Sequence, residues 1–151
     1  MKALSARLLA AVASAEAILG TISEADSAKP VLSGGWSSKQ VIGHLVDSAS
    51  NNHQRFVRAV LEDSLTFPNY HTDAWSRVEC VQDADWTTLI ALWANYNRYL
   101  AHVIAHLPAG KLDVPCSIGP NDPVPLRSVV EGYLEHMEHH LGQIGAAGAA
   151  S

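Results

Sequence analysis

The 151-residue chain has room for one domain, residues 1–151, with a single core, and its 48% hydrophobic and 17% charged residues exclude a disordered or disulfide-stapled class. A net charge of −5 without any Lys/Arg cluster argues against nucleic acid as a partner. No apolar run approaches the roughly 18–20 residues of a membrane span, so a membrane partner is not expected either.

The first helix is expected from about Ala3 to Glu24. Lys2, Arg7 and the Ala13-Ser14-Ala15 stretch imitate a secretory leader. Leu4, Leu8, Ala11, Val12, Ala15, Ile18, Leu19 and Ile22 nevertheless keep helical periodicity through the supposed cleavage point, as a bundle helix does. A polar link with Pro30 and Gly34-Gly35 follows. Ser37 and Gln40 then form a capping box, with Trp36 and Val41 as a hydrophobic staple, and open a second helix that extends to about Glu62.

On that second helix Val41, Leu45, Asn52, Phe56 and Ala59 share a mainly apolar arc. His44, Ser48, Asn51 and Arg55 form a polar stripe along its edge, with Asp47 further round. The stripe reads equally as one wall of a pocket or as a solvated face. Leu65 to Gln82 is a long aromatic connection, read as a lid or pocket wall or as packing over the bundle end. Cys80 lies within it and Cys116 in a later connection, with no Cys-x-x-Cys. They read as free thiols of a reducing compartment, and the expected location is cytoplasmic.

The third helix starts near Asp83 or Asp85, either of which can cap it, and ends at His106 before Leu107-Pro108-Ala109-Gly110. Its His102 and His106 share a side with Arg98, off the Trp93, Tyr96, Leu100, Val103, Leu107 stripe, and are expected in solvent. Lys111 to Pro125 is an irregular crossover with a short extended pair around Val114 to Ile118. The fourth helix follows Pro125 to about Ile144, and the small-residue tail from Gly145 to Ser151 is expected to fray. With no internal repeat and no useful strand alternation, the fold class is all-α, a four-helix bundle.

The chemistry gathers on the fourth helix. His136 and His140 lie four residues apart, on one face at the edge of the arc of Leu126, Val129, Val130, Tyr133, Met137, Leu141 and Ile144. Gln143 shares that edge, while Glu131, Glu135 and Glu138 point to water. With His44 the pair makes a candidate site of three imidazoles, which would leave a metal an open position for water or substrate. Such a metal acts as Lewis acid or activates its water, or binds a thiolate cosubstrate. Spacing alone favours the other reading, histidines hydrogen-bonded across the bundle without a metal.

Three stretches in order, GWSSKQVIGHLVDS (35–48), FPNYHTDAW (67–75) and HMEHHLGQI (136–144), resemble the DinB/YfiT-like superfamily of metalloenzymes over nearly the whole chain. The resemblance implies up-down-down-up connectivity, frequent homodimers, and a divalent metal held by His44, His136 and His140, with His139 outside the ligand set. Zinc and nickel are the metals expected. The family reactions are metal-dependent hydrolysis and transfer or isomerisation with a low-molecular-weight thiol such as glutathione, bacillithiol or mycothiol.

A small-molecule substrate, with or without such a thiol, is therefore the expected partner. Asn51 and Arg55 are placed to bind it as cofactor-site residues, and Asp47, Tyr133 and Gln143 to support the pocket. No residue is identified as the catalytic base, and Glu135 and Glu138 are declined because they face outward. A homodimer is expected through the alanine-rich first helix and the Trp86 and Trp93 side of the third. The competing class is a non-catalytic bundle, metal-free or merely metal-binding, acting as a binding or stress-associated module.

Overall fold

The capping box forms as its spacing requires: Gln40 N donates to the Ser37 hydroxyl at 3.2 Å, and Ser37 N donates to Gln40 Oε1 at 3.0 Å. The computed structural model describes residues 1–31 and 35–148. Its helices are α1 (Lys2–Leu19), α2 (Glu24–Ser27), α3 (Ser38–Leu61), α4 (Thr72–Val78), α5 (Trp86–Ala105) and α6 (Leu126–Gly148). Three short strands, β1 (Leu65–Phe67), β2 (Pro115–Ile118) and β3 (Val124–Pro125), join the long connections.

The first helix stops five residues short of the expected Glu24. Gly20 sits at its C-cap, the Thr21 hydroxyl donates to Ile18 O at 2.7 Å, and Ser23 accepts from Asp26 N to restart the chain as α2. Local bonds from Thr and Ser thus compete with helix continuation, and Gly20 is a poor propagator. At the other end α6 runs to Gly148, four residues beyond the expected Ile144. Of the tail, 149–151 lie outside the described residues, as does Gly34 of the link.

Six contacts establish the connectivity. Ser5 on α1 donates to Ala101 O at the far end of α5 (2.7 Å), and the Trp86 indole donates to Ile22 O (3.1 Å), so α1 and α5 are antiparallel. Lys39 reaches Ala84 O at 2.6 Å and His53 lies 3.1 Å from the Tyr96 hydroxyl, so α3 and α5 run parallel. His44 meets His136 while Phe56 meets Tyr133 edge-on, so α6 runs against α3. The order is up-down-down-up, with α3 packed between α5 and α6 and α1 across the core from it.

Trp93, Phe56, Leu8, Ile42, Leu45, Leu134 and Met137 fill that core. Here the Trp86 and Trp93 half of the expected partner surface fails. Trp86 and Trp93 are 3% and 0% exposed, the Trp86 indole lying against the end of α1, the helix that packs most extensively on α5. Ser5, Leu8, Val12, Ala15 and Leu19 make the buried face of α1, while Ala3, Ala6, Ala10, Ala13 and Ala17 stay exposed on its other side. Leu9 and Ile18 remain exposed on the outer side of α1.

The extended pair expected near Val114 to Ile118 is β2, but it also pairs in parallel with β1, in the register Leu65↔Cys116 and Phe67↔Ile118. β3 adds antiparallel to β2. The sheet ties the two long connections together. Gly119 closes it in the left-handed region (φ 62), its N–H bonding Phe67 O at 2.9 Å. A Cβ there would stand 3.0 Å from Asn69 Cβ, so glycine allows the 67–70 segment to lie close by.

Candidate metal centre

His44 sits in the second turn of α3, locked in register by the capping box one turn earlier. His136 and His140 project from successive turns of α6 toward it. His44 Nε2 and His136 Nε2 are 3.0 Å apart, and the ring centroids are 4.9 Å (His44–His136), 4.9 Å (His44–His140) and 4.6 Å (His136–His140) apart. One ring nitrogen from each lies within 4.8 Å of the others. Nitrogens around a tetrahedral zinc stand about 3.3 Å apart for bonds of about 2.0–2.1 Å, so small rotamer adjustments close the set.

Burial, and after it the neighbouring histidines, push the His44 and His136 imidazoles down to about 4. Burial also lowers His140. All three are therefore neutral near pH 7, each with a lone pair to give, as a metal ligand must be. Gln143 orients the third: His140 Nδ1 donates to Gln143 Oε1 at 3.1 Å, leaving Nε2 as the donor atom that faces the cluster. The Gln143 amide donates in turn to His139 Nε2 at 3.2 Å. His139 thus touches the support and not the cluster. These residues fit a divalent metal.

Aromatic rings wall the cluster. Trp36 stacks over His140 at 6.3 Å and meets His44 edge-on at 5.3 Å. Tyr70 tilts against His44 at 6.3 Å and against Trp75 at 4.8 Å, so the aromatic connection does form a pocket wall. Beside His44 and His136 opens a cleft of about 400 Å³. Down one side run His44, Ser48, Asn52 and Arg55 of α3, and down the other Ser128, Gly132 and His136 of α6. The stripe on the second helix is a pocket wall.

Three placements differ from the helical-wheel reading. Asn51 is buried but does not line the cleft. Its amide donates to Asp47 O at 2.9 Å, and its neighbour Asn52, read as part of the apolar arc, lines the cleft instead. Asp47 also lies off the cleft, its carboxyl pushed up to about 7 by burial and by Glu79. Tyr133 presents its ring to the cleft, but its hydroxyl donates to Asn97 Oδ1, and burial holds its pKa far above the ordinary value. Arg55 reaches the cleft. Glu135 is exposed and Glu138 pairs with Arg7, while His102 and His106 are exposed. The outward placements read from the wheel are correct.

Sequence reasoning passed over Asn52, Asn121 and Ser128 as cleft residues, while Asn69 and Tyr70 belong to the connection it read as a lid or pocket wall. The signal for two of them was present. Small or polar residues recur every four positions on both facing helices, at 44, 48 and 52 and at 128, 132 and 136. Tyr70, with its hydroxyl pushed up to about 12 by burial and then by Asp47, is a neutral phenol that only the tertiary fold brings to the site.

Known proteins resemble this chain to different degrees. A protein of Oceanobacillus iheyensis provisionally named a metal-dependent hydrolase is 24% identical over 129 residues, 85% of this chain and 74% of that protein. YfiT of Bacillus subtilis, named in the same provisional way, is 27% identical over 120 residues, 76% of this chain and 65% of its own length. The solved structure of YfiT, described as a probable metal-dependent hydrolase with an unusual four-helix bundle topology, shares the fold. It matches with a TM-score of 0.81 at 21% identity, over 97% of this chain and 86% of that one. The family model for the DinB superfamily matches residues 7–144, and the chain belongs to that superfamily.

Proposed function

We propose that His44, His136 and His140 hold one divalent metal, zinc or nickel, and that the protein is a metal-dependent hydrolase of small molecules. One observation carries this reading: three neutral imidazoles converge at the end of a polar cleft of about 400 Å³. A metal on three imidazoles keeps a position for water or a substrate oxygen and supplies Lewis acidity.

The chain's own residues do the rest. Gln143 holds the His140 tautomer, and Trp36 and Tyr70 shield the cluster from bulk water. Ser48, Asn52 and Ser128 offer neutral hydrogen-bond partners to a ligand lying along the cleft. The same cleft supports a second reading, transfer to a low-molecular-weight thiol, because it extends far enough along α3 to hold a cosubstrate. Cys80 and Cys116 are both free thiols, which supports a cytoplasmic location.

The test is a panel of esters, amides and electrophiles, with and without low-molecular-weight thiols, on zinc- or nickel-loaded and chelator-stripped protein. Hydrolysis without thiol that disappears on stripping supports the first reading, and strict thiol dependence the second. Turnover that survives stripping contradicts the metal dependence, and none across the panel favours the non-catalytic bundle.

A further inference from the structure

Arg55 is a buried cation that the fold itself does not use. It is 8% exposed, its Nε is buried without a hydrogen-bond partner, and none of the ion pairs among the described residues includes it. Nη1 has one long contact, 3.4 Å to Asn52 Oδ1, and the guanidinium lies over the Phe67 ring at 5.3 Å. Burying an unpaired guanidinium is unfavourable, and a ring face compensates only in part. Arg55 lines the same cleft as His44 and His136.

The rest of that wall is neutral. Ser48, Asn52, Asn69, Asn121 and Ser128 contribute amides and hydroxyls, and no lysine, aspartate or glutamate among the described residues lines the cleft. One fixed positive charge with a planar fork matches a single carboxylate, held by two parallel N–H···O bonds, better than a dianionic phosphate. His44 and Arg55 are eleven residues apart on α3, so their Cα atoms are separated by about 16 Å of helix axis. The long arginine leans back toward the N-terminus of α3 and shortens that gap without closing it. No small group touches both ends, so a ligand must be extended.

We propose that Arg55 anchors a carboxylate at one end of an elongated substrate whose other end reacts at the histidine cluster. The assignment rests on the metal reading only for the reacting end. Arg55 recognises the carboxylate whether or not a metal is bound.

The probe is suberic acid monohydroxamate, with a metal-binding hydroxamate at one end and a carboxylate at the other. Its terminal carboxamide and its phosphonate analogue serve as comparisons. Calorimetric titrations of zinc-loaded and chelator-stripped protein are run on wild type, Arg55→Met and Arg55→Lys. The carboxylate probe should bind wild type about tenfold more tightly than the carboxamide. Arg55→Met should bring the two within about twofold by lowering carboxylate affinity alone, and Arg55→Lys, which keeps charge but loses the fork, should fall between. Should Arg55→Met fail to fold by circular dichroism, the wild-type and Arg55→Lys ratios decide.

A carboxylate preference that persists on stripped protein, while zinc adds nothing to hydroxamate binding, would sink the metal reading and keep this one. Equal affinity for carboxylate and carboxamide on wild type in both metal states would overturn it, as would a preference that survives Arg55→Met. Tighter binding of the phosphonate would overturn the choice of carboxylate.

Discussion

His44 and His136, held near 4 against an ordinary 6.5, make the metal-free protein sensitive to mild acid. Between these values the unfolded chain binds protons that the folded chain refuses, so stability rises with pH across the window. It is complete above about 6.5 and is lost as pH falls toward 4. A urea titration series of metal-free protein should show this loss, and His44→Gln should flatten it. A midpoint independent of pH from 7 to 5 would contradict the buried, neutral imidazoles. Gln143 acts one bond further out. Gln143→Leu removes the acceptor that fixes His140, so zinc affinity should fall about 10- to 100-fold with the helical spectrum unchanged, as read by competition with a fluorescent chelator.

At the scale of elements, Lys39 closes the end of the bundle nearest the site. It is buried, pairs with Glu24 of α2, and donates to Gln82 O (3.2 Å) and Ala84 O (2.6 Å) ahead of α5. Glu24 also accepts from Trp86 N at 2.9 Å. Lys39→Met leaves two carbonyls short of a donor and should cost about 2 kcal/mol, measured as a lower urea midpoint at unchanged slope. This lock was not legible in the sequence, where Lys39 is one lysine after a cap. The capping box, the periodicity of α1 and the two histidine edges were legible, because each is a local regularity of one helix. The miniature sheet was not, since strands of two to four residues carry no alternation and β1 pairs with a partner some fifty residues away. The exchange of Asn52 for Asn51, and the inward turn of Trp86 and Trp93, share one cause. A helical wheel gives angles within a helix, while the direction of its neighbours comes only from the assembled bundle.

In the whole molecule, up-down-down-up order makes α3 and α6 antiparallel neighbours, so a histidine near the start of one meets two toward the end of the other. A bound metal would therefore staple two helices separated by most of the chain. Zinc in hundredfold excess over its dissociation constant should add about 2.7 kcal/mol, a rise in Tm of about 5–10 °C for a chain of this size, reversed by chelator. Among the described residues no helix is long and apolar enough to cross a membrane. The most direct test of the central claim is metal stoichiometry at equilibrium, on protein purified without a nickel column and dialysed against zinc, then against nickel. One ion per chain is predicted for wild type and for His102→Ala, whose ring is exposed and outside the cluster. His140→Ala and His44→Ala should lose most of it. Equal retention in His140→Ala and His102→Ala, or no bound metal in wild type, would contradict the three-histidine centre.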